Sequence, residues 1–508
     1  MVVFQRVHEA LERAQAIAEA KKSHIIYTKE LSRMDRELLL RHRWLEEIIR
    51  GWYLLIRPDL PKGDSTAWYA NFWDFLKCYL EHHYSREYCL SAKCSLDMHL
   101  GISTVPRQII VMATKGSGTP VELPYETSLL VYADPSRLPE KREVVRGLQV
   151  MSLPYALCKV SPTYFQTSPQ DAEIALRSIQ NPQELLRVIA EHHFKNGAGR
   201  LIGAYRFLQN NQMADILKNG LRDIGMMVIE KNPFETAGPI IAESTIQSPY
   251  ALRIFALWKR YRTEIISLFP KPPGLPKDKK AYLDHVAEIY GQDAYNSLSI
   301  EGYQVSRELI EKVKQATWKP EHNPKDQEER DALAARGYYE AFQLVKEAVA
   351  KILEGAPSKE VVKQYLPQWY QKLFTPSFQA GILSAHDLFG YRHHQVYIRG
   401  SRHTPPAKEY VTDCMEALFN CLEEEEHAAV RAVMGHFIFV YIHPYMDGNG
   451  RIGRFLMNTL FASGGYPWTI IQVVHRKEYI SALEAASTQD NIIPFANFIL
   501  SESGLKAT

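Results

Sequence analysis

The sequence lacks several features that would assign it to a special class of protein. Its 508 residues include six cysteines, none in a C-x-x-C pair, which argues against a zinc or redox motif. No stretch approaches the roughly 18 apolar residues that a membrane-spanning helix needs. The net charge is only +2, so bulk charge favours no particular partner. The N-terminus reads as a charged amphipathic helix rather than a signal peptide, so we expect a protein of the reducing cytoplasm without a membrane partner.

Apolar residues recur with a helical period over most of the chain, and candidate strands are concentrated in the N-terminal half. The apolar runs Gln108–Ala113 and Thr127–Ala133 are predicted to be neighbouring strands. The proline-rich stretch FPKPPGLPKDKKAY is the clearest candidate linker. We therefore predict a mainly α protein with an α+β N-terminal region. Its predicted parts are residues 1–75, residues 76–268, a linker at 269–280 and a helical region at 281–508.

The most informative stretch of the sequence is HPYMDGNGRIGR, at residues 443–454. A strongly apolar helical pattern precedes it and a second helical pattern begins inside it, which predicts a glycine-rich helix–loop–helix junction. Arg451 and Arg454 then fall in the first turn of the second helix, where the positive end of the helix dipole disfavours cations. Two arginines at this position make sense if an anion lies between them. The stretch therefore predicts a phosphate site.

The other polar residues of this stretch complete the predicted site. Gly448 and Gly450 allow backbone N–H groups to approach an anion closely. The Asp447 carboxylate is suited to Mg²⁺, which in nucleotide sites uses one or two carboxylates together with phosphate oxygens. The neutral imidazole of His443 can take a proton from an attacking hydroxyl. The alternative is a purely structural turn, but the complete ordered set favours the phosphate site.

The same stretch resembles the signature of the Fic (filamentation induced by cyclic AMP) family, HPFx[D/E]GNGRxxR, with Tyr445 in place of the usual phenylalanine. The resemblance implies an all-helical Fic core with a β-hairpin flap. It also implies transfer of AMP from ATP, with Mg²⁺, to a hydroxyl of a target protein. His443 would be the general base and Asp447 would bind the metal. The nucleotide-binding residues that it implies here are Asp447, Gly448, Asn449, Gly450, Arg451, Ile452, Gly453 and Arg454.

Two further stretches resemble parts of the same family. Residues 390–406, GYRHHQVYIRGSRHTPP, are similar to the β-hairpin flap that binds the target backbone by strand addition. The stretch HRKEYISALEAASTQDNIIPF is similar to the segment that closes the adenine pocket. The additional binding residues implied by these two stretches are Val396, Tyr397, Ile398, Arg399 and Tyr479.

The stretch SLSIEG resembles the inhibitory motif of the family, [S/T]xxxE[G/N], in the subclass whose inhibitory helix precedes the core. The resemblance implies that Glu301 pairs with Arg454, so that ATP binds in an unproductive pose. Ser297 and Gly302 complete the motif. A bidentate arginine–carboxylate pair is strong and directional, which makes this mechanism chemically sound. The alternative is a surface helix that ends at a glycine cap.

The pattern of residues 1–160 resembles the winged-helix region and the accompanying domain of AbiEi-type antitoxins. The pattern predicts a short helix near Thr28, a second helix through RELLLRHRWL and a two-stranded wing around Arg50 and Gly51. Residues 1–60 hold eleven Lys and Arg against nine Asp and Glu, a weak electrostatic footprint for DNA. DNA binding and protein docking therefore both stay open for this region.

Three functions remain open from the sequence. The favoured one is a protein adenylyltransferase inhibited by Glu301, because His443 and Asp447 are both intact. The second is a DNA-binding regulator that uses its Fic core as a nucleotide sensor or as an oligomerisation module, for example in a homodimer. The third is a Fic enzyme that uses another donor or removes AMP from a modified protein.

Overall fold

The structure is a computed structural model that describes residues 2–58, 63–235, 238–239, 248–315 and 326–506. The contacts within it divide the chain into two compact units. Unit 1 consists of Met1–Ala242 and Tyr397–Thr404, and unit 2 consists of Glu243–Val396 and Pro405–Thr508. The boundary near residue 242 falls outside the described residues.

Unit 1 is an α+β unit, as predicted for the N-terminal region. Its helices are α1 Val2–Lys21, α2 Arg33–Arg41, α3 Thr66–Tyr84, α4 Ala92–His99, α5 Leu153–Lys159, α6 Tyr164–Thr167, α7 Pro169–Arg177, α8 Pro182–His192, α9 Lys195–Phe207 and α10 Asn211–Asp223. Its strands are β1 Ile25–Tyr27, β2 Leu45–Ile49, β3 Trp52–Leu55, β4 Tyr88–Leu90, β5 Gln108–Ala113, β6 Pro120–Leu123, β7 Thr127–Ala133, β8 Glu143–Val145 and β9 Leu148–Val150.

The strands of unit 1 form small sheets with the orders β1-β3-β2, β4-β5-β7-β6 and β8-β9. Strands β5 and β7 are the two runs predicted to be neighbours, and they pair in parallel with Gln108 opposite Ser128. The other pairs are antiparallel. Alternate residues of β5 point into a core that also contains Trp68 and Phe72 of α3. This core explains why β5 alternates between buried and less buried residues.

The predicted wing is present as the hairpin β2–β3, which turns at Gly51 with φ +87°. The predicted short helix near Thr28 is a turn instead. Thr28 N donates to Gly51 O at 2.8 Å, which keeps this segment paired with the hairpin. The Arg36 guanidinium of α2 donates to the carbonyls of Thr28 and Leu31. In a helix, these carbonyls would accept from backbone N–H groups instead. The winged-helix assignment itself stays a prediction.

Unit 2 is all-helical in its described part, which confirms the mainly α prediction for residues 281–508. None of the helices in the described ranges of the chain is both long and apolar enough to cross a membrane. The helices of unit 2 are α11 Pro249–Leu268, α12 Lys279–Glu288, α13 Tyr290–Ile300, α14 Arg307–Lys314, α15 Asp326–Leu353, α16 Ser358–Gln379, α17 Ala385–Leu388, α18 Val411–Glu424, α19 Ala428–Ile442, α20 Asn449–Ala462, α21 Arg476–Thr488 and α22 Ile493–Glu502.

Helix α19 lies in the core of unit 2, because it is apolar on all sides and almost all of its residues are buried. It packs against α20, and both helices belong to a large apolar core that also includes residues of α15 and α16. The candidate loop between α19 and α20 is therefore carried by two helices that the core fixes in place.

Residues 269–278 of the proline-rich stretch link α11 to α12 inside unit 2, so the boundary between the two units differs from the predicted one. Gly274 N donates to Gly464 O at 3.0 Å, which attaches the stretch to the end of α20. Helix α11, which precedes it, is anchored in the same unit. The Nε1 of Trp258 and the Nε of Arg262 both donate to the Glu425 carboxylate, at 3.2 and 2.8 Å.

Residues 390–406 are described throughout, and they do not pair with one another as the predicted β-hairpin. Residues 397–404 belong to unit 1, where His403 forms a single antiparallel bridge with Thr104. Val105 N donates to Arg402 O at 3.0 Å. The hairpin pairing is absent from this segment because its backbone bonds with residues 103–105 instead.

Candidate active site

The predicted helix–loop–helix junction is present in unit 2. Helix α19 ends at Ile442, and His443 caps it in the left-handed conformation with φ +52° and ψ +60°. Gly448 caps the start of α20 with φ +78°. A Cβ atom on Gly448 would lie 2.8 Å from the Phe374 ring, so only glycine fits this close turn. The loop therefore places an imidazole beside the N-terminus of a buried helix.

Asn449 fixes the shape of the loop. Its Oδ1 accepts from Tyr445 N at 2.9 Å, and its Nδ2 donates to Tyr445 O at 2.9 Å. The Tyr445 ring is 2% exposed and stacks on Tyr370 with centroids 3.8 Å apart. The side chain of Asn449, implied above as a nucleotide ligand, is therefore used to close the loop. The aromatic position of the motif serves as packing support.

The two arginines of the motif are buried and have unused donors. Side-chain exposure is 1% for Arg451 and 5% for Arg454. Among the described residues, neither Arg451 Nε nor Arg454 Nη1 has a hydrogen-bond partner. A buried donor without a partner is unfavourable, and a charged one more so. An anion with several acceptor oxygens at the N-terminus of α20 would satisfy these donors.

Arg451 lies between two aromatic rings. Its guanidinium carbon is 5.0 Å from the centroid of Tyr303 and 5.1 Å from the centroid of Phe374, distances that fit cation–π contacts. Its Nη2 also lies 3.3 Å from Asp447 Oδ2. Neither ring was singled out in the sequence, because both lie far from Arg451 along the chain.

His443 is held as a neutral base. Its Nδ1 lies 3.2 Å from Val440 O, and because a carbonyl only accepts, Nδ1 carries the proton and the lone pair is on Nε2. Burial and, to a lesser extent, the nearby Arg392 charge together lower the pKa of His443 to about 4, although the hydrogen bond to Val440 opposes this change. The imidazole is therefore unprotonated at neutral pH.

The contact implied between Glu301 and Arg454 is present. Glu301 Oε1 lies 2.7 Å from Arg454 Nη2. Ser297 adds two acceptors, since its Oγ lies 2.8 Å from Arg454 Nε and its carbonyl oxygen 3.0 Å from Arg454 Nη2. Burial lowers the pKa of Arg454 and the Glu301 charge raises it, and the net change is upward. The carboxylate also lies over Gly450, where a Cβ atom would collide with it.

Polar contacts that the sequence did not reveal hold helix α13, which carries Ser297. Asp293 is 5% exposed and accepts from Tyr338 Oη at 2.6 Å and from Trp468 Nε1 at 3.0 Å. At the end of the helix, Arg476 Nε donates to Ile300 O at 2.6 Å. The available signal was an aspartate one helical turn before Ser297, among apolar residues. Gly302, with φ +90°, then turns the chain away from the helix.

Three of the implied binding residues are buried rather than exposed at the loop surface. Ile452 is fully buried in the core, and Gly453 packs against the His436 ring. Tyr479 is 2% exposed, and its hydroxyl lies 2.7 Å from His436 Nε2. Burial raises the pKa of Tyr479 to about 12.

The flap residues are divided between the two units. Val396 is in unit 2, where its carbonyl accepts from Gln395 Nε2 at 3.2 Å. Tyr397, Ile398 and Arg399 are in unit 1. There Arg399 Nε lies 3.1 Å from Asp64 Oδ2, and Ile398 O accepts from Ser401 N at 3.1 Å. The Tyr397 side chain remains 41% exposed.

Asp447 is the motif's carboxylate, and its side chain is 62% exposed. Within the described ranges, no group of three or more His, Cys, Asp or Glu side chains is arranged to hold a metal ion. A single exposed carboxylate next to an anion site nevertheless fits Mg²⁺ in nucleotide sites, where phosphate oxygens and water supply the other ligands. The residues present therefore fit a nucleotide-bound Mg²⁺ rather than a metal site made by protein alone.

These features define a class of site: a helical unit in which a helix N-terminus with unused arginine donors lies beside a neutral imidazole. Residues 361–461 match the family model described as Fic/DOC family, so the chain contains a Fic/DOC domain. It is 41% identical over 113 residues to the "Protein adenylyltransferase Fic" of Aedes aegypti, and 42% identical over 113 residues to that of Culex quinquefasciatus. Each match covers 22% of this chain and 22% of the relative, so about a fifth of the relatives' length is matched.

Solved structures of Fic proteins also align with the chain. Fic-1 from C. elegans aligns over 66% of this chain and 92% of its own, with 19% identity and a TM-score of 0.37. A Fic domain containing signaling protein from Bacteroides thetaiotaomicron aligns over 50% of this chain and 92% of its own, with 17% identity and a TM-score of 0.34.

Proposed function

We propose that this chain is a protein adenylyltransferase that transfers AMP from ATP to a hydroxyl side chain of a target protein, with Glu301 as a built-in inhibitor. One observation carries the proposal. A neutral imidazole whose Nε2 carries the lone pair caps α19, and two buried arginines with unused donors lie in the first two turns of α20. The relatives named adenylyltransferases match the chain across this region, which supports the same chemistry here.

His443 is the general base in this proposal. Its Nε2 takes the proton of the target hydroxyl as the hydroxyl oxygen attacks the α-phosphorus of ATP. A bond forms between that oxygen and the α-phosphorus, and the bond from the α-phosphorus to the bridging oxygen breaks. Pyrophosphate leaves with the electron pair of the broken bond. The hydrogen bond from Nδ1 to Val440 O favours the required tautomer.

Arg451 and Arg454 stabilise the negative charge on the phosphates and on the leaving pyrophosphate. Such preorganised donors supply most of the catalysis in transfers of this type. Asp447 would hold the Mg²⁺, which neutralises charge on the phosphates when it is bound. Because Asp447 is exposed and next to Arg451, the carboxylate and the guanidinium can act on the same phosphate group.

The inhibition acts through Arg454. Two of the three guanidinium nitrogens of Arg454 are used by Ser297 and Glu301. The Glu301 carboxylate also puts negative charge over Gly450, next to the proposed phosphate site. A triphosphate whose terminal phosphate bound Arg454 would be repelled by this carboxylate. Activation in this proposal requires the end of α13 to move so that Arg454 can bind phosphate.

Self-labelling with ATP labelled on the α-phosphate tests the proposal. The variants are wild type, Glu301→Gly, Glu301→Gln as the isosteric control that removes only the charge, and Glu301→Gly with His443→Ala. We expect weak labelling of wild type, strong labelling of both single variants and none of the double variant. ATP labelled on the γ-phosphate should label none of them. Absence of label in every variant that still binds ATP would contradict AMP transfer.

The alternative of a DNA-binding regulator has less support in residues 1–60. The exposed Arg33 of α2 pairs with Glu37 at 2.8 Å. Arg36 is used by the carbonyls of the preceding turn. Helix α2 would need free cations to bind phosphates, and two of its three arginines already have partners. A homodimer likewise stays a prediction.

A further inference from the structure

Arg392 is a buried cation of unit 2 whose partners are backbone carbonyls. The residue is 3% exposed. Its Nε donates to His443 O at 2.9 Å and its Nη1 to His394 O at 3.1 Å, while Nη2 donates to Pro406 O. Its backbone N–H donates to Pro444 O at 2.8 Å. In the described structure none of these partners is a carboxylate.

A buried cation whose hydrogen bonds go only to carbonyls is costly, although the Glu409 charge offsets part of this cost for Arg392. Burial lowers the pKa of Arg392 to about 10, so the side chain still carries its charge at neutral pH. The structure keeps the cation at a point where three backbone segments meet. These segments are the catalytic loop at His443 and the two ends of the flap, at His394 and Pro406.

The His443 backbone needs such support. Its φ of +52° is unfavourable for a residue with a Cβ atom. On its N-terminal side, His443 N donates to Phe439 O at 3.0 Å and continues the helix. On its C-terminal side, the carbonyl has left the helix and accepts from Arg392. A backbone conformation of this kind persists only where its surroundings hold it.

We propose that Arg392 is a positioning residue that fixes His443 Nε2 relative to the flap base, which we define as residues 392–396 and 405–406. The inference rests on the proposed function, since it concerns where a target hydroxyl is held. A target chain that docked along the flap base would lie against segments that the same guanidinium links to the His443 backbone. The distance from the hydroxyl to Nε2 is thereby set by one side chain.

The test uses Arg392→Lys and Arg392→Gln in the Glu301→Gly background. Lysine keeps the charge but cannot reach three carbonyls at once, and glutamine also removes the charge. Arg431→Lys is the control, because Arg431 is a half-buried arginine of unit 2 that also donates to backbone carbonyls, those of Glu425 and Glu426. Thermal unfolding and ATP binding are measured for each variant. If Arg392→Gln does not fold, Arg392→Lys decides the outcome.

We expect the rate of self-labelling at saturating ATP to fall about 10- to 100-fold in both Arg392 variants, as for a small misplacement of a catalytic group. The ATP concentration for half-maximal rate should change by less than about threefold, because the phosphate ligands are untouched. The control should keep its rate. Equal rates in the Arg392→Lys variant and the Arg431→Lys control would overturn the proposal.

A second readout does not depend on activity. With ¹⁵N-labelled histidine, the parent should show one His443 tautomer with the proton on Nδ1, and the Arg392 variants should show a mixture or a shifted signal. A His443→Ala variant assigns the resonance. If the Glu301→Gly parent takes no label, the proposed transfer fails, and this spectrum alone decides about Arg392. An unchanged His443 signal in both Arg392 variants would then refute its positioning role.

Discussion

Glu301 and Arg454 lie 153 residues apart in the sequence and meet at 2.7 Å in unit 2. The contact joins one carboxylate oxygen of Glu301 to Nη2 of Arg454. Ser297 adds two contacts, because its hydroxyl accepts from Arg454 Nε and its carbonyl accepts from Arg454 Nη2. The contact with Arg454 is therefore distributed over a helical turn at the end of α13 rather than confined to a single bidentate pair. Each part of it can be removed separately.

Ser297→Ala should activate the protein in part. The change removes the hydroxyl that accepts from Arg454 Nε. A buried guanidinium that loses such an acceptor is destabilised by about 1–3 kcal/mol. This weakens the inhibited arrangement while the Glu301 contact remains. We expect self-labelling above wild type and below Glu301→Gly, and wild-type behaviour for Ser297→Thr, which keeps the hydroxyl. A rate for Ser297→Ala at the wild-type level would show that the hydroxyl does not contribute to inhibition.

Tyr303 also helps to hold the segment that carries Ser297 and Glu301, because its ring lies 5.0 Å from the Arg451 guanidinium. A cation–π contact of this kind stabilises by about 0.5–2 kcal/mol. Tyr303→Ala should therefore raise self-labelling by roughly 2- to 30-fold. Tyr303→Phe keeps the ring and should behave as wild type. Equal rates for the alanine and phenylalanine variants would exclude a role of the ring.

The candidate site was predictable where its residues are adjacent in the sequence. The loop, the start of α20 and the partner of Arg454 all follow from two short motifs. Arg392 was not predictable, because its role depends on carbonyl oxygens at His394, Pro406 and His443, and every residue has a carbonyl. The same holds for Asp293, whose donor Trp468 is 175 residues away. Local patterns do not encode such distant pairs.

The larger organisation was predicted less well for a related reason. Proline-rich sequence indicates an extended segment, and the main boundary was predicted there, but residues 269–278 link two helices of the same unit. Whether such a segment separates units depends on contacts such as Gly274 with Gly464, which composition does not reveal. The hairpin was predicted for 390–406 from the resemblance to the family, but backbone groups of 402–404 bond with residues 103–105 instead. Which segments pair therefore depends on the tertiary structure and not on the local sequence alone.

Asn449→Ala should destabilise the protein and slow the transfer. The change leaves both backbone groups of Tyr445 without the partners they now have. Each buried group that loses its bond costs about 1–3 kcal/mol. We expect a lower midpoint of thermal unfolding, and slower labelling in the Glu301→Gly background. Gln489→Ala, a change outside the loop, serves as the control, and equal unfolding midpoints in the two variants would contradict a structural role for Asn449.

His436 should make the stability of the protein depend on pH. Burial lowers its pKa to about 4 from an ordinary value near 6.5, so the unfolded chain binds a proton at a higher pH than the folded protein does. Stability should therefore be full above about pH 6.5 and fall as the pH decreases toward 4, by about 1–3 kcal/mol for this group. Denaturant unfolding at several pH values measures the slope. The slope should be smaller in His436→Phe, and an equal slope would show that this residue does not titrate as described.

Asp447 provides the test of the metal requirement. Its exposed carboxylate is the Mg²⁺ ligand in the proposed function, while the arginines bind phosphate independently of it. In the Glu301→Gly background, chelation by EDTA should abolish labelling, and added Mg²⁺ should restore it. Asp447→Asn should raise the Mg²⁺ concentration for half-maximal rate about tenfold or more while ATP binding measured without metal persists. Asp413→Asn, on α18, is the control for an acidic residue outside the loop. An unchanged Mg²⁺ dependence in Asp447→Asn would assign the metal to the phosphates alone and leave Asp447 as a partner of Arg451.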